Sequence, residues 1–221
     1  KPKKGVDSQG KLIEFPVGNA LFIKKYPKAK TQVLLAGHYD TVYPLDSPFQ
    51  KATIESNKMQ GPGAADMKGG LVVMLKDLEI LEKSPYAGQL GFEVIMNPDE
   101  EIGSISSEYL FKKAASHKIA GLIFEPAFSD GALVSERKGS ANFTLVALGK
   151  SAHAGRDFEK GRSAIVAMAA FIQEANALND PTLGISINFG SIQGGGPVNI
   201  VPDLCICQIN VRVLKINDLK N

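Results

Sequence analysis

Residues 61–96, GPGAADMKGGLVVMLKDLEILEKSPYAGQLGFEVIM, hold a glycine-rich loop, an amphipathic segment and an apolar run in immediate succession. Leu71, Met74, Leu75, Leu78 and Leu81 recur at intervals of three and four with Lys76, Asp77 and Glu79 between them, which predicts a helix lying on a sheet. The run 90–96 is short and apolar, the pattern of a buried strand, and TQVLLAG at 31–37 reads the same way. Outward from this unit, strands are predicted at 19–26 and 119–124 and a helix at 104–116. Strands alternating with helices predict an α/β fold, a largely parallel sheet flanked by helices.

Past about Gly139 the order changes to a strand at 141–148, a helix at 162–178 and strands at 184–192 and 204–214. This β-α-β-β order is most of a ferredoxin-like unit. Two domains are therefore expected, 1–138 and a smaller α+β domain at 139–221. The second reads as incomplete, since the last strand leads only to Asn217, Asp218, Leu219, Lys220 and Asn221.

The composition excludes several classes. With 44% hydrophobic and 22% charged residues, the 221-residue chain is neither disordered nor fibrous. Its apolar runs, LVVML at 71–75 among them, are all far short of the roughly 20 residues of a membrane span. A net charge of +2 is too weak a field to point to nucleic acid or a membrane surface as partner. Lys1, Lys3 and Lys4 read as a solvated tail. Cys205 and Cys207 stand two apart in an apolar run and would share the buried face of a strand. No signal-type segment is visible, so a cytoplasmic location is expected, with export as the alternative because the chain opens on Lys1 rather than Met.

Four stretches carry chemistry. His38 and Asp40 follow the strand at 31–37 two residues apart, so a metal-binding imidazole could have a carboxylate beside it; taken alone, the pair reads more readily as a surface His and a loop-capping Asp. Asp66 leaves the glycine-rich loop, where a helix cap is the alternative, and neither phosphate-loop pattern is present. Asp99, Glu100 and Glu101 end a strand, where such a run is either a solvated loop or a metal site. Glu125 follows the strand at 119–124, as a turn residue or as a further acid at the same sheet edge. One His and several carboxylates on one edge suit a hydrolytic zinc site.

In order and local sequence these stretches resemble the di-zinc metallopeptidase family that includes carboxypeptidase G, acetylornithine deacetylase, succinyl-diaminopimelate desuccinylase and aminoacylase. The resemblance runs over nearly all of 20–215, through GHYDTVYP at 37–44, GPGAADMKGG at 61–70, PDEEIGS at 98–104, FEP at 124–126, SAHAG at 151–155 and NIVPD at 199–203, and is nearest to carboxypeptidase G. It implies a catalytic domain with a lid and dimerisation domain, and two Zn2+ per site. His38 and Glu125 would bind one zinc, Asp66 would bridge both, and Glu101 would bind the second. Asp40 would orient His38, and Glu100 would be the general base. His153 would reach the partner subunit's site, while Asn199 and Arg212 would hold the substrate carbonyl and carboxylate. The resemblance also implies a cis peptide after Asp66.

The family pattern requires a second His ligand late in its sequence. The chain has only His38, His117 and His153, and none fits that place, so the sequence is read as a fragment that lacks it. The expected function of the parent protein is zinc-dependent hydrolysis of an amide next to an amino acid with a free carboxylate, C-terminal glutamate first. The small-molecule substrate would be a peptide or an N-acyl amino acid, and the protein a homodimer through its lid. An N-acyl-amino-acid deacylase or dipeptidase is the alternative on the same scaffold, and a non-catalytic assembly module the alternative of another class.

Overall fold

The computed structural model describes residues 3–215. Lys1 and the closing stretch 217–221 lie outside the described residues. The chain divides into two compact units, Pro16–Leu133 and a second made of Lys4–Phe15 with the chain from Val134 onward.

The first unit is built on a four-stranded sheet. Its strands are β3 (Leu21–Lys25), β4 (Thr31–His38), β7 (Leu90–Asn97) and β8 (Ala120–Ile123), in the order β3-β7-β4-β8. β4 runs parallel to β7 and β8, and β3 is antiparallel to β7. Two helices, α1 (Gly69–Lys83) and α2 (Glu108–Ala115), cover opposite faces. The alternation along β4 explains this: Val33 and Leu35 pack with Met74 of α1, while Leu34 between them packs with Ala114 of α2. A strand buried on both faces reads as a continuous apolar run, and VLLA does. Because three strands are parallel, their carboxyl ends share one edge, where His38 pairs with Asn97. β8 is an edge strand with all four residues exposed. A short hairpin of β5 (Thr53–Glu55) and β6 (Lys58–Gln60) precedes the glycine-rich loop.

The second unit is a three-stranded antiparallel sheet of β9 (Gly139–Leu148), β10 (Ser186–Gly194) and β11 (Leu204–Val213), in the order β10-β11-β9, with α3 (Ala164–Asn176) on one face. Cys205 and Cys207 are fully buried beneath α3 as free thiols, and burial pushes both thiol pKa values up. The hairpin of β1 (Lys3–Val6) and β2 (Leu12–Phe15) groups with this unit from Lys4 on. The reading of Lys3 and Lys4 as tail is thereby corrected, since both begin β1. Gly10 at the hairpin turn, with φ 76°, lies so close to Leu204 and Val146 that a Cβ there would stand 2.9 Å from each. The turn of this sequence-distant hairpin thus lies against side chains of β9 and β11.

Candidate metal centre

His38 is the last residue of β4 and is 1% exposed. Its Nδ1 lies 3.0 Å from the Asp40 backbone carbonyl and 3.3 Å from Asp40 Oδ1. A carbonyl can only accept, so Nδ1 is the donor there, and Nε2 faces the acids. Nε2 is 3.0 Å from Asp66 Oδ1, 3.5 Å from Glu125 Oε1 and 4.0 Å from Glu100 Oε2. Donor atoms of His38, Asp66 and Glu101 lie within 4.8 Å of one another, and so do those of His38, Glu100 and Glu125. The residues singled out at the sheet edge thus meet around one imidazole nitrogen. Asp40 accepts hydrogen bonds from the Glu100 amide at 3.2 Å and the Glu101 amide at 3.0 Å, which ties the acidic loop to the His38 strand.

Crowding of negative charge shows in the protonation equilibria. Burial above all pushes the Glu125 carboxyl up to about 7; His38 opposes it, and the charges of Asp66 and Glu100 and a hydrogen bond with Asp66 add to the rise. Glu101 is raised by burial and by Asp66, Glu100 and Asp40, against a lowering by His38. Burial alone would lower His38, but its hydrogen bond to Asp66 and the charges of Glu125 and Asp40 outweigh it, and the imidazole is raised. An imidazole nitrogen and carboxylates that cannot comfortably stay ionised together form a donor set suited to a divalent cation such as Zn2+.

The loop that delivers Asp66 has a conformation that local periodicity does not show, although the cis peptide after Asp66 is the one the resemblance implied. Ala64–Lys68 forms a wide turn entered at Gly63, φ 69°, and Asp66 departs from helical geometry with φ −120° and ψ 100°. The Asp66–Met67 peptide is cis. The helix-cap alternative for Asp66 falls away, since α1 is preceded by Lys68 and has no side-chain cap. Met67 is fully buried and its sulfur accepts the His38 amide at 3.1 Å, so the residue after Asp66 anchors the loop under His38. A Cβ on Gly37 would stand 2.4 Å from the Met67 methyl, which is why that position is glycine. Sequence reasoning missed Met67, whose partner is 29 residues away.

It also left Asp99 without a role. Asp99 is 1% exposed and accepts from the Ser106 amide at 2.8 Å, the Ser107 amide at 3.2 Å, the Asn97 amide group at 3.2 Å and the Ser107 hydroxyl. Burial would raise its carboxyl, but these hydrogen bonds hold it below the usual range.

The other expected site residues lie in the second unit. His153 forms an isolated bridge with Ile200, and the Ala154 amide donates to the Asn199 carbonyl at 2.9 Å, so His153 and Asn199 are neighbours. His153 Nδ1 accepts from the Gly155 amide at 3.1 Å. Arg212 is elsewhere: it sits near the far end of β11, exposed, with Nε donating to Asn210 at 3.0 Å. The Leu204 end of β11, beyond which Asn199 lies, is about 27 Å from Arg212 at roughly 3.4 Å per residue.

The family model described as Peptidase family M28 matches residues 22–141, over half of the chain, and the M20-type peptidase dimerisation domain matches 135–221. The chain belongs to the M20/M28 metallopeptidases. Among relatives of this family, carboxypeptidase G2 of Pseudomonas sp. (strain RS-16) is 31% identical over 214 residues, which cover 96% of the chain and 51% of the relative. Acetylornithine deacetylase of Erwinia tasmaniensis is 31% identical over 82% of the chain and 50% of the relative. The chain thus spans about half the length of the curated relatives it matches. The M20 family metallo-carboxypeptidase Sso-CP2 of Sulfolobus solfataricus shares the metallopeptidase fold, with a TM-score of 0.67 at 19% identity over 96% of the chain and 62% of that structure.

Proposed function

We propose that this chain carries the metal-binding part of a zinc-dependent hydrolase that cleaves an amide next to an amino acid with a free carboxylate. The observation that supports it is the meeting of His38 Nε2 with the carboxylates of Asp66, Glu100, Glu101 and Glu125 at one sheet edge. His38, Asp66 and Glu125 would hold one zinc, and Asp66 and Glu101 the second. Bound zinc supplies Lewis acidity toward the scissile carbonyl and makes water a nucleophile near neutral pH. Asp40 holds the His38 tautomer through Nδ1 and the acidic loop through two amides. Glu100, nearly half exposed beside His38, would take a proton from the attacking water and hand it to the leaving amine. His153 would polarise the carbonyl in a partner subunit's site, with Asn199 beside it, and Arg212 would take the substrate carboxylate through its planar fork.

The 31% identity to carboxypeptidase G2 supports a carboxypeptidase, with C-terminal glutamate as the first substrate to test, and the equal identity to an acetylornithine deacetylase supports N-acyl-amino-acid deacylation as the second reading. A homodimer through the second unit and a cytoplasmic location belong to the same proposal. No helix among the described residues is long and apolar enough to cross a membrane. Calorimetric Zn2+ titration should show binding that His38→Ala weakens by more than the roughly 10- to 100-fold that loss of an outer partner costs. A hydrolysis screen over peptides ending in glutamate and N-acyl amino acids then separates the two substrates. Wild-type protein that binds no zinc would overturn the proposal.

A further inference from the structure

The acidic run 99–101 splits by direction. Donor atoms of Glu100 and Glu101 lie close to His38, whereas Asp99 turns the other way and is buried against the start of α2. An ionised carboxylate is stable there only because donors surround it, and hydrogen bonds to an ionised group are the strong ones. Three of those donors come from Ser106 and Ser107, and the fourth from Asn97, the residue that pairs with His38 across β4 and β7. The Ser104 amide also donates to the Asp99 carbonyl at 2.6 Å. Asp99 therefore closes the loop between β7 and α2 upon itself, with Glu100 and Glu101 inside it. From the other side, the two Asp40 oxygens hold the Glu100 and Glu101 amides. Among the described residues, neither the Glu100 nor the Glu101 carboxylate accepts a hydrogen bond of its own, so their placement comes from the backbone that carries them.

We propose that Asp99 is a positioning residue: together with Ser107 it tethers the Glu100–Glu101 segment so that both carboxylates stay within reach of His38. A helix cap alone would satisfy only the α2 amides. Here the carboxylate is eight residues upstream of Ser107, so the same bonds fix the intervening loop. The inference rests on the metal-binding reading of the site, and its test separates the two.

Amide hydrogen exchange in the metal-free protein, residue by residue, reads the tether directly, and calorimetric titration with Zn2+ reads its consequence. In Asp99→Asn and in Ser107→Ala, exchange at the Glu100 and Glu101 amides should quicken at least tenfold, while amides within β7 and α2 keep their wild-type rates. The Zn2+ dissociation constant should rise at least tenfold in both. Ser107→Ala removes only the hydroxyl and decides the matter if Asp99→Asn fails to fold. Unchanged exchange at both amides, or equal quickening throughout β7 and α2, overturns the tether. Wild-type protein that takes up no zinc overturns the metal reading. Wild-type uptake with unaltered affinity and exchange in both variants overturns the tether alone.

Discussion

The imidazole of His38 has its two nitrogens committed by different means. Nδ1 faces a backbone carbonyl, so its proton is set by the fold, and Nε2 faces carboxylates that need a cation. Asp40 serves His38 with one oxygen and the Glu100 and Glu101 amides with both, so Asp40→Asn should cost about 10- to 100-fold in Zn2+ affinity, measured by titration. Glu100 and Glu101 are neighbours with different expected fates. In the full-length parent protein, Glu100→Gln should abolish turnover with metal content nearly unchanged, whereas Glu101→Gln should reduce metal occupancy. Equal metal loss in both variants, by elemental analysis, would reverse the assignment, and the 4.0 Å approach of Glu100 to His38 makes that comparison informative. The meeting of His38, Asp66, Glu101 and Glu125 at one sheet edge was legible in the sequence because each stands at or just after the end of an apolar strand or in a glycine-rich loop. Asp99 and Met67 were not, because their partners come from other elements.

At the scale of elements, two packing details control the sheet edge. α1 approaches the end of β8 so closely that a Cβ on Gly70 would stand 1.8 Å from the Phe124 carbonyl oxygen, next to Glu125. Backbone cannot yield as a flexible side chain does, so Gly70→Ala should destabilise by about 3 kcal/mol, the upper end of overpacking costs. It should also weaken Zn2+ binding by displacing Glu125; a thermal melt and a titration check both. The second detail is Glu93, buried in the middle of β7 and paired with Lys24 Nζ at 2.7 Å and Lys118 Nζ at 3.2 Å. Burial raises its carboxyl, but the two lysines outweigh burial and hold it below its ordinary value of 4.5. A group whose folded pKa is depressed stabilises the fold above its unfolded value and loses that contribution as pH falls through the folded one. Stability should therefore fall below about pH 4.5 in wild type and less steeply in Glu93→Gln, by denaturant titration across pH. At pH 7 the same variant leaves Lys118 nearly buried without its partner and should cost about 3 kcal/mol.

For the whole molecule, the separation within the second unit matters most. His153 and Asn199 are neighbours, while Arg212 lies at the other end of β11, so one copy of this unit does not gather all three at one point. In the proposed dimer of the full-length parent, mixtures of the His153→Ala and Glu100→Gln variants should recover part of the activity lost in each, because one site would pair the intact Glu100 of one subunit with the intact His153 of the other. Proven subunit exchange without any recovery would sink the arrangement in trans. Loss of Arg212 should raise KM more than loss of His153 does, since a carboxylate contact acts on bound substrate and transition state alike.

The amino-acid sequence by itself determined the order of the sheet strands β3, β4 and β7–β11 and of the three helices, the α/β class and the positions of the acids and of His38, because periodicity and turn residues act locally, whereas the two short hairpins β1–β2 and β5–β6 went unread. The boundaries shifted by a few residues: α2 starts at Glu108 rather than 104, because Ser107 is held by Asp99 instead of entering the helix. Only the tertiary structure decided that the N-terminal hairpin joins the second unit, that Met67 anchors under His38, and that Asp99 faces away from Glu100 and Glu101. These depend on which distant atoms meet: a turn glycine thin enough to approach Leu204, a sulfur filling the space above Gly37, and serine donors eight residues along that can satisfy a buried charge.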